Sequence, residues 1–208
     1  NSLNQRVLRE IGPSLNGQSS SVNALYEVKT ATATSTLVLV LEFAPRDTVL
    51  AWAKALLNNP KYVEHPVILL THVFLNSQSK PGPQENYAIK DANYGAAVME
   101  KLVLPSQNIR LVFSGHIGSP DDFNGHLGFR QDKNAGGKTV TQMTFNAQAM
   151  GGGWHGNGGD GWLRYLEFLA DGKTVLVKTF SPLFAISPST QPLAYKREPN
   201  QEFTFSLD

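Results

Sequence analysis

Cysteine is absent from the 208 residues, which removes disulfides, thiolate metal ligands and a cysteine nucleophile together. His, Asp, Glu and Asn are left as possible metal ligands. The absence fits either side of a membrane, so the compartment stays open. An excess of one charge is lacking too: 18 Lys and Arg stand against 17 Asp and Glu, a net charge of +1, and no basic run is present to track a phosphate backbone. Nucleic acid is therefore not a favoured partner. The longest apolar run, residues 37–41 with Phe43 beyond, is far shorter than the ~20 residues that span a bilayer. The polar opening, residues 1–5, carries no signal-peptide pattern.

What is present describes an ordinary packed protein. Hydrophobic residues make up 41% and charged residues 17%, enough apolar surface to form a core and too little charge for disorder. The length favours one domain over two. Residues 24–28 and 36–43 read as strands, the second so uniformly apolar that both of its faces should be covered. Asp47 is placed to cap a helix running to about Leu57, with Val49, Leu50, Trp52, Ala53, Leu56 and Leu57 as its apolar stripe and Asn58-Asn59-Pro60 as its stop. A buried strand at 66–71, a polar loop at 76–83, a helix at 92–104 and a strand at 109–114 continue the alternation. This is α/β organisation. After Gly115 the chain is rich in Gly and Asn through Asp160, with strands expected at 139–145, 163–168, 174–180 and 203–207. Asp171-Gly172 marks a hairpin between two of them. The second half thus reads as a mainly antiparallel layer following an α/β half.

Two of the five histidines occupy equivalent places. His72 follows the strand Val67-Ile68-Leu69-Leu70-Thr71, and His116 follows Leu111-Val112-Phe113-Ser114-Gly115. Functional groups of open α/β sheets collect at the carboxyl ends of the strands, so the two could converge, and imidazole suits a transition metal. Taken singly, each histidine could equally be a hydrogen-bonded strand terminus. The matched placement favours ligation.

The ordered series Leu41-Glu42-Phe43-Ala44-Pro45-Arg46-Asp47, Val67-Ile68-Leu69-Leu70-Thr71-His72, Val112-Phe113-Ser114-Gly115-His116, Gly159-Asp160-Gly161-Trp162-Leu163-Arg164 and Lys178-Thr179-Phe180-Ser181-Pro182 resembles the calcineurin-like metallophosphoesterases over nearly the whole chain. The resemblance implies the C-terminal part of that family's αββα sandwich. It also implies hydrolysis of phosphate monoesters or diesters, in which two transition metals such as Zn, Mn or Fe activate a bridging water or hydroxide. His72 and His116 match the histidine ligands of the second metal, His116 and Arg164 are the catalytic candidates, and Gln148 is a further candidate at the same edge.

The sequence also departs from the family. Its Asp-x-His, Gly-Asp-x-x-Asp and Gly-Asn-His motifs occur nowhere in these residues, and its Gly-His-x-His ending is replaced by Gly115-His116-Ile117-Gly118. Two histidines alone make at most one low-affinity site, since catalytic zinc takes three protein ligands. His126 and His155, in Gly-rich loops, are expected to be solvated rather than ligating, and His65 is expected at the surface. A chain lacking part of such a sheet would expose an edge, which favours self-association.

Other chemistries are less well supported. Gly136-Gly137-Lys138-Thr139 has Asp132 where a phosphate loop needs glycine, and reads as a hairpin turn. Ser114, with Asp121 and Asp122 nearby, lacks the Gly-x-Ser-x-Gly elbow of a serine hydrolase. Trp52 and Trp162 are assigned to the core. A competing function of another class is a non-catalytic module that engages a glycan or protein through the Gly-rich loops and Trp154.

Overall fold

The computed structural model describes residues 2–18, 20–29, 35–119, 122–150 and 158–207. The chain is mixed α/β, with eleven strands in two sheets among these residues. It divides into two compact units, Asn1–Gly115 with Gly128–Thr144, and His116–Leu127 with Phe145–Asp208. No helix among the described residues is long and apolar enough to cross a membrane.

The first unit is built on a seven-stranded sheet containing β1 (Leu8–Ile11), β2 (Ala24–Lys29), β3 (Ser35–Val40), β4 (Val67–Leu70), β5 (Ile109–Ser114), β6 (Leu127–Lys133) and β7 (Thr139–Phe145), in the order β1-β2-β3-β4-β5-β7-β6. Strands β3, β4, β5 and β7 are mutually parallel, and β1, β2 and β3 are joined antiparallel. Leu37, Leu39, Val67, Leu69, Ile109 and Val112 are excluded from solvent, as the apolar runs at the centre of a parallel sheet require. Strand β7 departs from the sequence reading. It belongs to this sheet, paired parallel to β5 from Leu111↔Thr141 to Ser114↔Thr144, and not to the antiparallel layer. Its Thr141, Gln142, Met143 and Thr144 are all buried, although polar residues in such a run read as a half-solvated strand. The β6–β7 hairpin turns at Asn134, whose Oδ1 accepts the N–H groups of Gly136 and Lys138, with Gly137 at φ +70°, as read from Gly136-Gly137-Lys138.

Helix α1 (Ser2–Val7) precedes β1, and helix α2 (Asp47–Leu57) lays Val49, Leu50, Ala53 and Leu57 into the core. Asp47 is not its cap: Arg46 holds the capping position without a side-chain bond. The Asp47 carboxylate instead receives Lys101 Nζ at 2.8 Å and Asn93 Nδ2 at 3.0 Å. Asn58 closes the helix through a bond to Lys54 O. The helix expected over 92–104 is shorter and irregular. Ala92 is bridged to Arg46, Asn93 is tied to Pro45 O, and only α3 (Gly95–Val98) is regular before a wider π turn at Met99–Val103. The Leu104 N–H reaches back to Met99 O, the five-residue span that defines such a turn.

Glu42 pins the end of β3. Its carboxylate accepts Arg46 Nε at 2.7 Å and Asn23 Nδ2 at 2.9 Å. Burial alone would raise the Glu42 pKa, but these bonds outweigh it and hold the carboxyl below its ordinary value of 4.5. A carboxylate with a depressed folded pKa contributes stability that is fully present above the unfolded value and lost as pH falls through the folded one. Glu42→Gln is therefore expected to be less stable than wild type at neutral pH. The gap should close progressively below pH 4.5 in urea titrations repeated across pH. A gap that persists or widens in acid would refute this assignment.

The second unit carries an antiparallel sheet in which β9 (Thr174–Phe180) pairs with β8 (Leu163–Phe168) on one side and with β10 (Tyr195–Lys196) and β11 (Phe203–Ser206) on the other. Asp171-Gly172 forms the expected hairpin. The carboxylate of Asp171 accepts Lys173 N, Thr174 N and Thr174 Oγ1, which lowers it to about 2, and Gly172 supplies φ +70°. A short helix, α4 (Pro182–Ala185), is capped by the hydroxyl of Ser181.

Candidate functional site

The β4–β5 ladder runs beyond both strands. Thr71 N–H donates to Phe113 O at 3.1 Å and Gly115 N–H to His72 O at 2.9 Å. His72 thus stands at the carboxyl edge of the parallel strands, exposed, with its ring edge-on to Phe43 at 5.3 Å. The hydroxyl of the preceding Thr71 is buried without a hydrogen-bond partner among the described residues. His116 is the next residue after Gly115 and takes the left-handed backbone conformation, φ +70°. That conformation costs a residue bearing a Cβ roughly 1–2 kcal/mol relative to glycine. Such strain is commonest where a side chain is held for function.

Among the described residues no group of three or more His, Asp or Glu is arranged to hold a metal.

His126 overturns the expectation of a solvated loop residue. It is fully buried, with Nδ1 against Asn146 O and Nε2 against Ser119 O. Both ring nitrogens are engaged by backbone, Nε2 also lying 3.3 Å from Ser119 N. His65 is half-buried, its Nδ1 3.4 Å from Ser35 O. The Ser114 hydroxyl shares a hydrogen bond with Thr144 Oγ1 across the β5–β7 pairing. His155, Trp154 and Asp121 lie outside the described residues.

Arg164 and Gln148 line one open cleft of about 450 Å³ in the second unit, with Phe145, Asn146 and Trp162. Arg164 projects from β8. Its Nε and Nη2 both donate to Thr179 Oγ1 at 3.2 Å, and Nη2 also reaches Asn200 O at 2.9 Å and Gln201 Oε1 at 3.0 Å. The guanidinium lies 5.2 Å from the Phe145 ring centre and 5.8 Å from that of Phe203, within cation–π range. Nη1 has no hydrogen-bond partner among the described residues, and neither does any carboxylate there pair with the group. Burial lowers its pKa to about 10, which leaves it charged at neutral pH. Trp162 precedes β8 rather than lying in it; it is half-buried, edge-on to Phe123 at 5.7 Å and to Phe184 at 5.5 Å.

Sequence reasoning named Arg164 and Gln148 but not Asn146, whose side-chain Oδ1 accepts Gln148 N–H. An Asn two residues before a Gln is the only signal it left. Comparison with models of known protein families finds no match, and comparison with curated proteins finds no significant match.

Proposed function

We propose that this chain is the C-terminal part of a calcineurin-like, metal-dependent phosphoesterase acting on phosphate monoesters or diesters, in an αββα sandwich. His72 and His116 are its contribution to the metal ligands. The reading requires the remaining ligands to come from polypeptide outside these residues. What supports it is the ordered series of sequence segments together with one observation: two parallel neighbouring strands end in register, Gly115 N–H bonded to His72 O. The strained backbone of His116 adds to it. A histidine that merely ended a strand would gain nothing from a conformation that glycine adopts freely.

The test separates a functional histidine from a structural one. Elemental analysis and calorimetric titration with zinc and manganese are expected to show low-affinity binding by wild type that is lost in His72→Ala and His116→Ala. In His116→Gly the metal should be lost while stability to urea rises by about 1 kcal/mol. Metal binding unchanged in all three variants, or absent from wild type together with a loss of stability in His116→Gly, would sink the reading.

A further inference from the structure

The Arg164 cleft is a second candidate site, and it stands independently of the strand-edge histidines. Most half-buried arginines satisfy their charge with a carboxylate. Arg164 is instead held by neutral acceptors, the Thr179 hydroxyl, the Asn200 carbonyl and the Gln201 amide oxygen. Aromatic rings flank it at 5.2 Å and 5.8 Å. These contacts fix the plane of the guanidinium through Nε and Nη2, and they leave the two N–H groups of Nη1 unpaired among the described residues. A rigid cation with one vacant donor edge has already lost the rotamer freedom that ordering an arginine around a ligand would cost.

The other polar groups of the cleft are of the same kind. The Asn146 Oδ1 is occupied by Gln148 N–H at 3.1 Å, so its Nδ2 is the remaining polar atom of that side chain. Gln148 is exposed and its amide makes no hydrogen bond among the described residues. None of the described residues lining the cleft is acidic. One cation and two amide groups able to donate, with Phe145 and Trp162 as apolar walls, make an environment that favours a bound negative charge and discriminates against a cation.

We infer that this cleft binds an oxyanion group of a small ligand, a phosphate or a carboxylate, through Arg164 Nη1 with Asn146 and Gln148. A phosphate offers three acceptor oxygens to three donors, whereas a carboxylate offers two. The two sources are therefore distinguished by relative affinity.

Calorimetric or NMR titration of the whole chain with inorganic phosphate and, separately, with acetate reads the site directly. Saturable binding of at least one of them is expected at constant ionic strength. It should weaken about tenfold or more in Gln148→Glu and in Asn146→Asp, each of which replaces a donor by a negative charge. Both variants keep every partner of Arg164, and Asn146→Asp keeps the acceptor for Gln148 N–H, so neither is expected to unfold. Tighter phosphate identifies a phosphorylated ligand, tighter acetate a carboxylate one. Removing the cation in Arg164→Gln should abolish binding of both. No saturable binding of either anion by wild type, or binding of equal strength in Gln148→Glu and Asn146→Asp, would overturn the inference. These readouts involve no metal, so failure here leaves the phosphoesterase reading standing, and the reverse also holds.

Discussion

Gly95→Ala is expected to destabilise the first unit by about 3–5 kcal/mol, the range reached when a core is overpacked and hydrogen bonds are lost with it. Gly95 opens α3 against the chain around Phe74. A Cβ built there would lie 1.9 Å from Phe74 O, 2.6 Å from Gly82 N and 2.9 Å from Phe74 C. All three are backbone atoms, so no side chain can rotate away. The carbonyl in the path is also the acceptor for Gly82 N–H at 2.7 Å, and Gly82 O in turn accepts Ala96 N–H at 2.9 Å. Moving any part therefore breaks the rest, while Phe74 itself is fully buried. Propensity alone predicts the opposite sign, because alanine is favoured over glycine in a helix by ~1 kcal/mol. Urea denaturation followed by circular dichroism decides between them. Gly137→Ala is a useful comparison, since Gly137 has φ +70° with open space around it. Its cost should be only about 1 kcal/mol, from the dihedral strain alone. Equal losses at the two positions would show that the close approach at Gly95 does not exist.

The parts of this fold that were legible in the sequence are those whose signal is local. Residues 37–40, 67–70 and 111–113 are short apolar runs that read as buried strands, and α2 repeats its apolar residues at helical spacing up to an Asn-Asn-Pro stop. What escaped depends on partners distant in the chain. Strand β7 was legible as a strand, but its parallel pairing with β5 required knowing that Thr141, Gln142 and Thr144 would be covered. Gln142 is covered because its amide donates to Asp132 at 2.7 Å. Strand β6, Leu-Gly-Phe-Arg-Gln-Asp-Lys, has too few apolar residues to announce itself. The helix over 92–104 was drawn too long because periodicity cannot register that Asn93 is held by Pro45 O, 48 positions away.

The two candidate sites divide in the same way. His72 and His116 were visible because each follows an apolar run, whereas the left-handed backbone of His116 leaves no trace in composition. Arg164 was named from its neighbours Gly161-Trp162-Leu163. Its vacant donor edge arises from Thr179, Asn200 and Gln201, which sit 15 to 37 positions away, and no local reading could supply it.

His126 carries the second large effect. His126→Ala is expected to cost the second unit about 3–4 kcal/mol, combining a cavity with the loss of the imidazole's bonds to Asn146 O and to the Ser119 backbone, whose N–H donates to Nε2 at 3.3 Å. The ring is fully shielded from solvent and spans from Asn146 O on Nδ1 to Ser119 O on Nε2, joining segments 27 positions apart in sequence (146 minus 119). Its surroundings cannot close over the gap easily. A Cβ at the adjacent Gly125 would already lie 2.6 Å from Ser119 Cβ, so the Ser119 segment is packed against this turn. Phe123, 5.9 Å from the His126 ring, also contacts Phe145 and Trp162. The variant should accordingly lower affinity at the Arg164 cleft as well, because Asn146 and Phe145 belong both to the His126 surroundings and to the cleft wall. A solvated loop histidine, the role its Gly-rich neighbourhood suggested, would give a change within ~0.5 kcal/mol and leave anion binding untouched. Urea denaturation together with phosphate titration of the same variant separates these outcomes. A small loss of stability with unaltered anion binding would return His126 to the solvent, and a large loss with weakened binding would identify it as the residue that holds the cleft wall in place.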